Sequence, residues 1–113
     1  MPCLFCQIAD EEIPATVVYK RNGVTAFRDI HPQAPTHILI IPDEHVGGIT
    51  DLTSDLETIT GRLVHVAGEI ARQEGIADSG FRLVINHGTD AGQSVSHLHV
   101  HLLGGRPLPL GLA

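Results

Sequence analysis

Histidine alternates with aliphatic residues in His97-Leu98-His99-Val100-His101-Leu102-Leu103, and this pattern commits the segment to a β-strand. Side chains repeat every second residue along a strand, so His97, His99 and His101 share one face while Leu98, Val100 and Leu102 share the other. The apolar face needs a core to cover it. The opposite face carries three groups that can act as nucleophile, proton donor or metal ligand near neutral pH. At about 3.3 Å rise per residue the Cα atoms of His97 and His101 lie roughly 13 Å apart, an awkward span for ligands that must each come within about 2.1 Å of one ion. The spacing suits groups arrayed along an extended ligand, such as a phosphate with a leaving group on one side and a sugar on the other.

The chain has 113 residues, enough for one domain that buries roughly two-thirds of its unfolded surface. Hydrophobic residues make up 42% and charged residues 18%, a globular balance with no low-complexity tract or internal repeat. A net charge of −6 without a Lys/Arg cluster makes long nucleic acids and anionic membranes poor partners. The longest aliphatic stretch, Ile38-Leu39-Ile40-Ile41, is far short of the ~20 residues that cross a bilayer. The N-terminus lacks a basic-then-apolar leader pattern, so a cytoplasmic location is expected. The two cysteines stand together in Cys3-Leu4-Phe5-Cys6, which reads either as half a zinc site or as a pair of free thiols.

Leu4, Phe5, Ile8 and Ala9 recur at helical spacing ahead of Pro14. They predict a short helix ending near Ile13 and lying on a sheet edge. Val17-Val18-Tyr19-Lys20-Arg21, Asn22-Gly23 and Val24-Thr25-Ala26-Phe27-Arg28-Asp29 read as a hairpin, with Asn-Gly supplying the positive φ angles of a two-residue turn. His31-Pro32-Gln33-Ala34-Pro35 is a loop. It leads into a central strand, Ile38-Leu39-Ile40-Ile41, that Pro42 is expected to stop. Ser54-Asp55-Leu56-Glu57 fits a capping box. It opens an amphipathic helix with Leu56, Ile59, Leu63, Val66 and Ile70 on one face and Gly75 at its end. Phe81-Arg82-Leu83-Val84-Ile85-Asn86 is a fourth strand and the histidine segment a fifth. Short connections between strands imply an antiparallel sheet with the long helix over its apolar face, an α+β fold.

Between the last two strands runs His87-Gly88-Thr89-Asp90-Ala91-Gly92-Gln93-Ser94-Val95-Ser96. Its glycines let backbone N–H groups approach an anion, and Gln93 and Ser94 add side-chain donors. In isolation the segment reads more readily as a solvent-exposed turn, and it lacks the Gly-Lys-Ser/Thr ending of a nucleoside-triphosphate loop. Its position directly before the histidines sets anion donors beside a candidate nucleophile.

Phe27-Arg28-Asp29-Ile30, Pro32-Gln33-Ala34-Pro35-Thr36-His37, Ile41-Pro42-Asp43-Glu44-His45 and the stretch from Asn86 to Arg106 together resemble the histidine-triad (HIT) superfamily, in particular its Hint branch of nucleoside phosphoramidases. The resemblance covers nearly the whole chain. It implies a single HIT domain over residues 1–113: a five-stranded antiparallel sheet with one long and one short helix, pairing with a second copy into a homodimer. It implies a purine nucleoside monophosphate, or its amidate, as ligand. His99 would be the nucleophile, with His101 and His37 beside it and His97 supporting its orientation. Asn86, Gly92, Gln93 and Ser94 would face the phosphate or leaving group, and Asp29 the ribose hydroxyls. Phe5, Ile8, Ile13, Phe27, Arg28, Ile30 and Leu39 fall where the family builds its base pocket. On residue type alone, Asp29 reads equally as a turn former, the aliphatic and Phe positions read more readily as plain core, and His37 could simply satisfy a backbone group. His65, on the long helix, reads as a surface residue.

The implied reaction is hydrolysis of a nucleoside 5′-phosphoramidate through a nucleotidyl-histidine, with no metal required for catalysis. Dinucleoside polyphosphate hydrolysis, as in other branches, and a nucleotide-binding scaffold with incidental hydrolysis are the alternatives. The chain departs from some relatives in lacking an aromatic residue in its tail, Leu108-Pro109-Leu110-Gly111-Leu112-Ala113. Cys3 and Cys6 match a variant in which the pair joins histidines like His45 and His97 in a closed, structural zinc site.

Overall fold

Asn22 and Gly23 take φ values of 55° and 80°, the left-handed geometry that a two-residue hairpin turn requires. In the computed structural model, which describes residues 3–111, this turn joins β1 (Val17–Arg21) to β2 (Val24–Arg28). β3 (Thr36–Pro42) pairs with β2 on one side and with β5 (Val100–Gly104) on the other, and β4 (Phe81–Val84) closes the far edge. All pairings are antiparallel, in the order β1-β2-β3-β5-β4. The fold is therefore the expected α+β sheet, with the aliphatic strand at its centre.

The first helix, α1, spans Leu4–Ala9, and the second, α2, spans Glu57–Gln73. α2 buries Leu63, Val66, Ala67, Ile70 and Ala71 against Val24, Ala26, Ile38, Ile40, Leu98, Val100 and Leu102. Each large aliphatic side chain in this layer contributes about 1.5–3 kcal/mol. The capping box does not form. Ser54–Leu56 is a tighter 3₁₀ turn, the Thr53 hydroxyl bonds the Asp55 carboxylate, and Leu56 stands at the helix start without a side-chain cap. With Ser54 inside that turn, its hydroxyl is a full turn short of the α2 N-terminus.

α1 lies across the sheet's second face and not along its edge. Phe5, Ile8 and Ala9 pack on Phe27, Leu39 and Ile41, because β3 is apolar on both faces and both must be covered. The helix stops at Ala9, short of Ile13, where the chain reverses and Glu11 takes φ 61°. Lys20 donates to the freed Ala9 carbonyl (2.6 Å) and to the Thr25 hydroxyl (3.1 Å), which ties the helix to the hairpin.

Pro42 ends β3 from within the ladder, opposite Val24, so the strand is longer at both ends than the aliphatic run. β4 stops at Val84, before Asn86. β5 begins only at Val100: the His97 N–H bonds the Val95 carbonyl (2.8 Å), and the chain bends before it enters the ladder. No helix is long and apolar enough to cross a membrane among the described residues.

Candidate active site

The second face of the sheet carries a pocket of about 290 Å³ between α1, the end of β2 and the histidine segment. Alternation holds through the bend. Leu98, Val100 and Leu102 enter the core under α2, while His97 and His99 stack edge-on against Phe5, with ring centroids 6.0 and 5.0 Å away. Phe5 in turn meets Phe27 at 5.4 Å. His99 and His101 form part of the wall, together with Asp29, Ser94 and the apolar Phe5, Ile8, Ile13, Phe27 and Leu39.

Backbone partners fix where each histidine carries its proton. His97 Nε2 lies 2.9 Å from the Pro42 carbonyl and His99 Nδ1 lies 2.7 Å from the His97 carbonyl. A carbonyl only accepts, so both nitrogens are donors. Neutral His99 is therefore left with a lone pair on Nε2, and neutral His97 with one on Nδ1. His37 is set the opposite way. The Gln33 N–H donates to its Nδ1 (3.0 Å), so its proton sits on Nε2, which donates to His101 Nδ1 (2.9 Å). His101 then carries its own proton on Nε2.

The electrostatics favour the neutral form of His97, His37 and His101. Burial lowers His97 and His37 from the ordinary histidine range; the Asp29 carboxylate, 3.5 Å from His37 Nε2, opposes the shift in part. His101 is pushed down to about 4 by burial, then by His99 and His37 beside it. Asp29 accepts the His31 N–H at 2.8 Å, which fixes the carboxylate at the pocket rim.

Asp29, His37 and His101 also bring ligand atoms within 4.8 Å of one another. A metal on His37 Nε2 would force the proton onto Nδ1, against the Gln33 N–H, so this group suits a hydrogen-bond chain better than a metal. The other cluster has the opposite chemistry. Cys3 Sγ, Cys6 Sγ, His45 Nδ1 and His97 Nδ1 converge, with sulfur–nitrogen separations of 3.3, 3.5 and 3.3 Å. Tetrahedral zinc sets such an edge at about 3.6 Å. The His97 Nε2–H bond to Pro42 exposes the correct lone pair, so the donor set fits a zinc ion. Burial and the neighbouring Cys3 raise the Cys6 thiol to about 11, and a bound cation would reverse that cost.

The 87–96 loop is held by its own atoms and by the neighbouring 47–50 segment. Gly88 and Gly92 each take φ 82°. The Gln93 side chain accepts the Gly88 N–H and donates to the Gly47 and Val95 carbonyls. The Gly92 and Gln93 N–H groups bond the Thr89 and Gly88 carbonyls. Among the described residues, Ser94 has neither its N–H nor its hydroxyl paired, and it stands on the pocket wall. Asn86, Gly92 and Gln93 are not part of that wall.

Arg28 touches the pocket, but its guanidinium makes a two-point pair with Glu74 at 2.9 Å. It shares the α2 side of β2 with Val24 and Ala26, which removes it as a free contact for a base. Ile30 lies on the rim, 85% exposed. His65 is a surface residue paired with Glu69. Sequence reasoning missed Leu4, Pro14, Ala15 and Val95 in the wall; only the helix-ending Pro14 marked where the chain would turn back. It also missed His87, which accepts the Ile49 N–H and meets the Thr50 hydroxyl, joining the 47–51 turn to the 87–96 loop.

Known proteins resemble this chain in sequence and in fold. A purine nucleoside phosphoramidase of Escherichia coli K12 is 52% identical over 105 residues, 93% of this chain and 88% of that protein. A 14 kDa zinc-binding protein of Zea mays is 54% identical over 110 residues, 95% of this chain and 84% of its own length. The crystal structure of a HIT family hydrolase from Legionella pneumophila superposes with a TM-score of 0.96 at 46% identity, covering 99% of this chain and 100% of that one. The HIT domain pattern itself matches residues 10–108, and the chain belongs to the HIT domain family.

Proposed function

We propose that the chain hydrolyses the P–N bond of purine nucleoside 5′-phosphoramidates through a nucleotidyl group carried on His99. The observation that carries this reading is the bond from His99 Nδ1 to the His97 carbonyl, which leaves the Nε2 lone pair as the ring's nucleophilic atom on a pocket wall. The name of the E. coli relative supports the substrate class.

In the first step His99 Nε2 forms a bond to phosphorus, and the P–N bond breaks as the departing nitrogen takes a proton from solvent and leaves as the amine. The modified ring is then cationic, with its Nδ1–H still held by the His97 carbonyl. His101, kept neutral, donates its Nε2–H to a phosphoryl oxygen where charge gathers, and the Ser94 N–H and hydroxyl do the same. In the second step water adds to phosphorus, its proton passes to solvent, and the P–Nε2 bond breaks to restore neutral His99. One P–N bond is exchanged for another of similar energy, so neither step is steeply uphill.

Asp29 would accept from both ribose hydroxyls, and Phe5, Ile8, Ile13, Phe27, Ile30 and Leu39 would enclose the base. Zinc on Cys3, Cys6, His45 and His97 would be architectural, because four protein ligands close its coordination shell and fix α1, with Phe5, against the His99 segment. Pairing with a second copy is favoured by the free edge β4, which exposes Phe81, Leu83 and the adjacent Ile85. Thiolate ligands suit a reducing compartment, in keeping with a cytoplasmic location.

The test is to quench turnover of an adenosine 5′-phosphoramidate and map the adduct by mass spectrometry. An adenylyl group on His99 is expected. An adduct on another residue, or undiminished turnover by His99→Ala, would reject the assignment.

A further inference from the structure

The proton on His101 Nε2 is selected by an atom outside the pocket, the Gln33 N–H, through His37. Gln33 lies in a loop between Pro32 and Pro35, and two features of the turn after β5 bear on that loop. Arg106 donates from its guanidinium to the Gln33 carbonyl at 2.9 Å, while its other terminal nitrogen bonds the Pro107 carbonyl at 3.0 Å and so fixes the side chain. Gly105 takes φ 95°, and a Cβ there would come within 2.9 Å of Pro35 Cβ. The turn thus both grips the loop by a charged hydrogen bond and packs against it at glycine distance.

We propose that Gly105 and Arg106 are positioning residues for the reaction: they clamp the 32–35 loop so that the Gln33 N–H meets His37 Nδ1, which holds the His101 proton on Nε2, toward the phosphate. If the loop is released, His37 can carry its proton on Nδ1. Its Nε2 then accepts from His101 Nδ1, and His101 presents a lone pair to an anionic oxygen in place of a donor. In the clamped state that alternative sets two N–H groups against each other, which disfavours it by roughly tenfold or more. Arg106 is exposed and makes no carboxylate pair among the described residues, so its removal should leave the core intact.

This inference rests on the proposed reaction only for its kinetic consequence. The direct test needs no substrate: imidazole ¹⁵N spectra of the histidine-labelled protein at neutral pH. The wild-type chain is expected to show His37 and His101 with protons on Nε2, and Arg106→Gln to show a new population of His101 protonated on Nδ1. Arg106→Lys, which keeps a charged donor, should restore much of the wild-type pattern. Gly105→Ala should mimic Arg106→Gln without changing charge. In both loosened variants AMP affinity and kcat should fall, by about tenfold where one donor to a developing oxyanion is partly lost. Adenosine affinity should hold, whereas general damage to the pocket would weaken both ligands. A wild-type His37 protonated on Nδ1, or unchanged His37 and His101 spectra in both variants, would overturn the proposal. If the wild-type chain and the two loosened variants show the expected spectra but the wild-type chain shows no phosphoramidate turnover, the reaction is wrong and the clamp stands.

Discussion

Acid should unfold this protein partly through His101, and the size of the effect follows from its surroundings. The ring lies between His99 and His37, and burial with those neighbours lowers it from 6.5 to about 4. In the unfolded chain it titrates near 6.5. Between those values the unfolded state binds the extra proton, so stability falls as pH drops through the window and levels off below about 4. The full difference corresponds to about 3 kcal/mol, with about 1 kcal/mol already lost at pH 5.5. The assay is urea unfolding at several pH values between 7.5 and 4, comparing the wild-type chain with His101→Asn. The amide oxygen of asparagine can still accept from His37 Nε2 but does not titrate. At pH 7.5 the two proteins differ only by the packing cost of the substitution. As pH falls, the wild type should lose stability faster, and the gap should shift by 2–3 kcal/mol in favour of the variant. Parallel stability curves across that range would refute the neutral, hydrogen-bonded state assigned to His101.

Three further outcomes follow from the site. His99→Asn should abolish turnover, by about a thousandfold or more, while AMP binding stays within about tenfold, because the ribose and base contacts do not involve that ring; titration calorimetry and a phosphoramidate assay check both halves. Chelation should lower the melting temperature by about 10 °C, as for a site filled at a hundred times its Kd. Cobalt should give thiolate charge-transfer absorption, and Cys3→Ser with Cys6→Ser should abolish both effects. Gly48→Ala would set a Cβ against His87 Nδ1, costing about 1–3 kcal/mol, and adding His87→Ala should recover most of it; additive effects in urea unfolding would mean that the two loops do not meet there.

What the sequence disclosed was periodic. Asn22-Gly23 announced its hairpin, the aliphatic run announced a central strand, and gaps of three and four announced α2, because each pattern is read locally from how side chains meet water. Alternation in the last strand correctly separated Leu98, Val100 and Leu102 from the histidines. The same alternation gave no sign that the ladder begins only at Val100, because the bend depends on the His97 N–H turning back to Val95. Arg28 shows the same limit. Its neighbours in sequence place it beside the pocket, yet Glu74, 46 residues away, takes its guanidinium. The cap expected at Ser54 failed for a local reason that composition does not carry, the competition between a 3₁₀ turn and a helix start.

The chemistry of the triad was legible as residue types and illegible as protonation. Three identical side chains at even spacing would behave alike if solvent were their only partner. They differ because three backbone groups from three places, the Pro42 carbonyl, the His97 carbonyl and the Gln33 N–H, each dictate one ring nitrogen's state directly or through His37. In the proposed reaction these states would suit His97 to be a ligand, His99 the nucleophile and His101 a donor. None of the three groups has a side-chain signature, so no reading of residue identity could assign these roles by physical argument alone. It follows that the roles should survive changes to side chains flanking the motif and fail when the backbone around Pro42 or Gln33 moves, even with all the histidines in place.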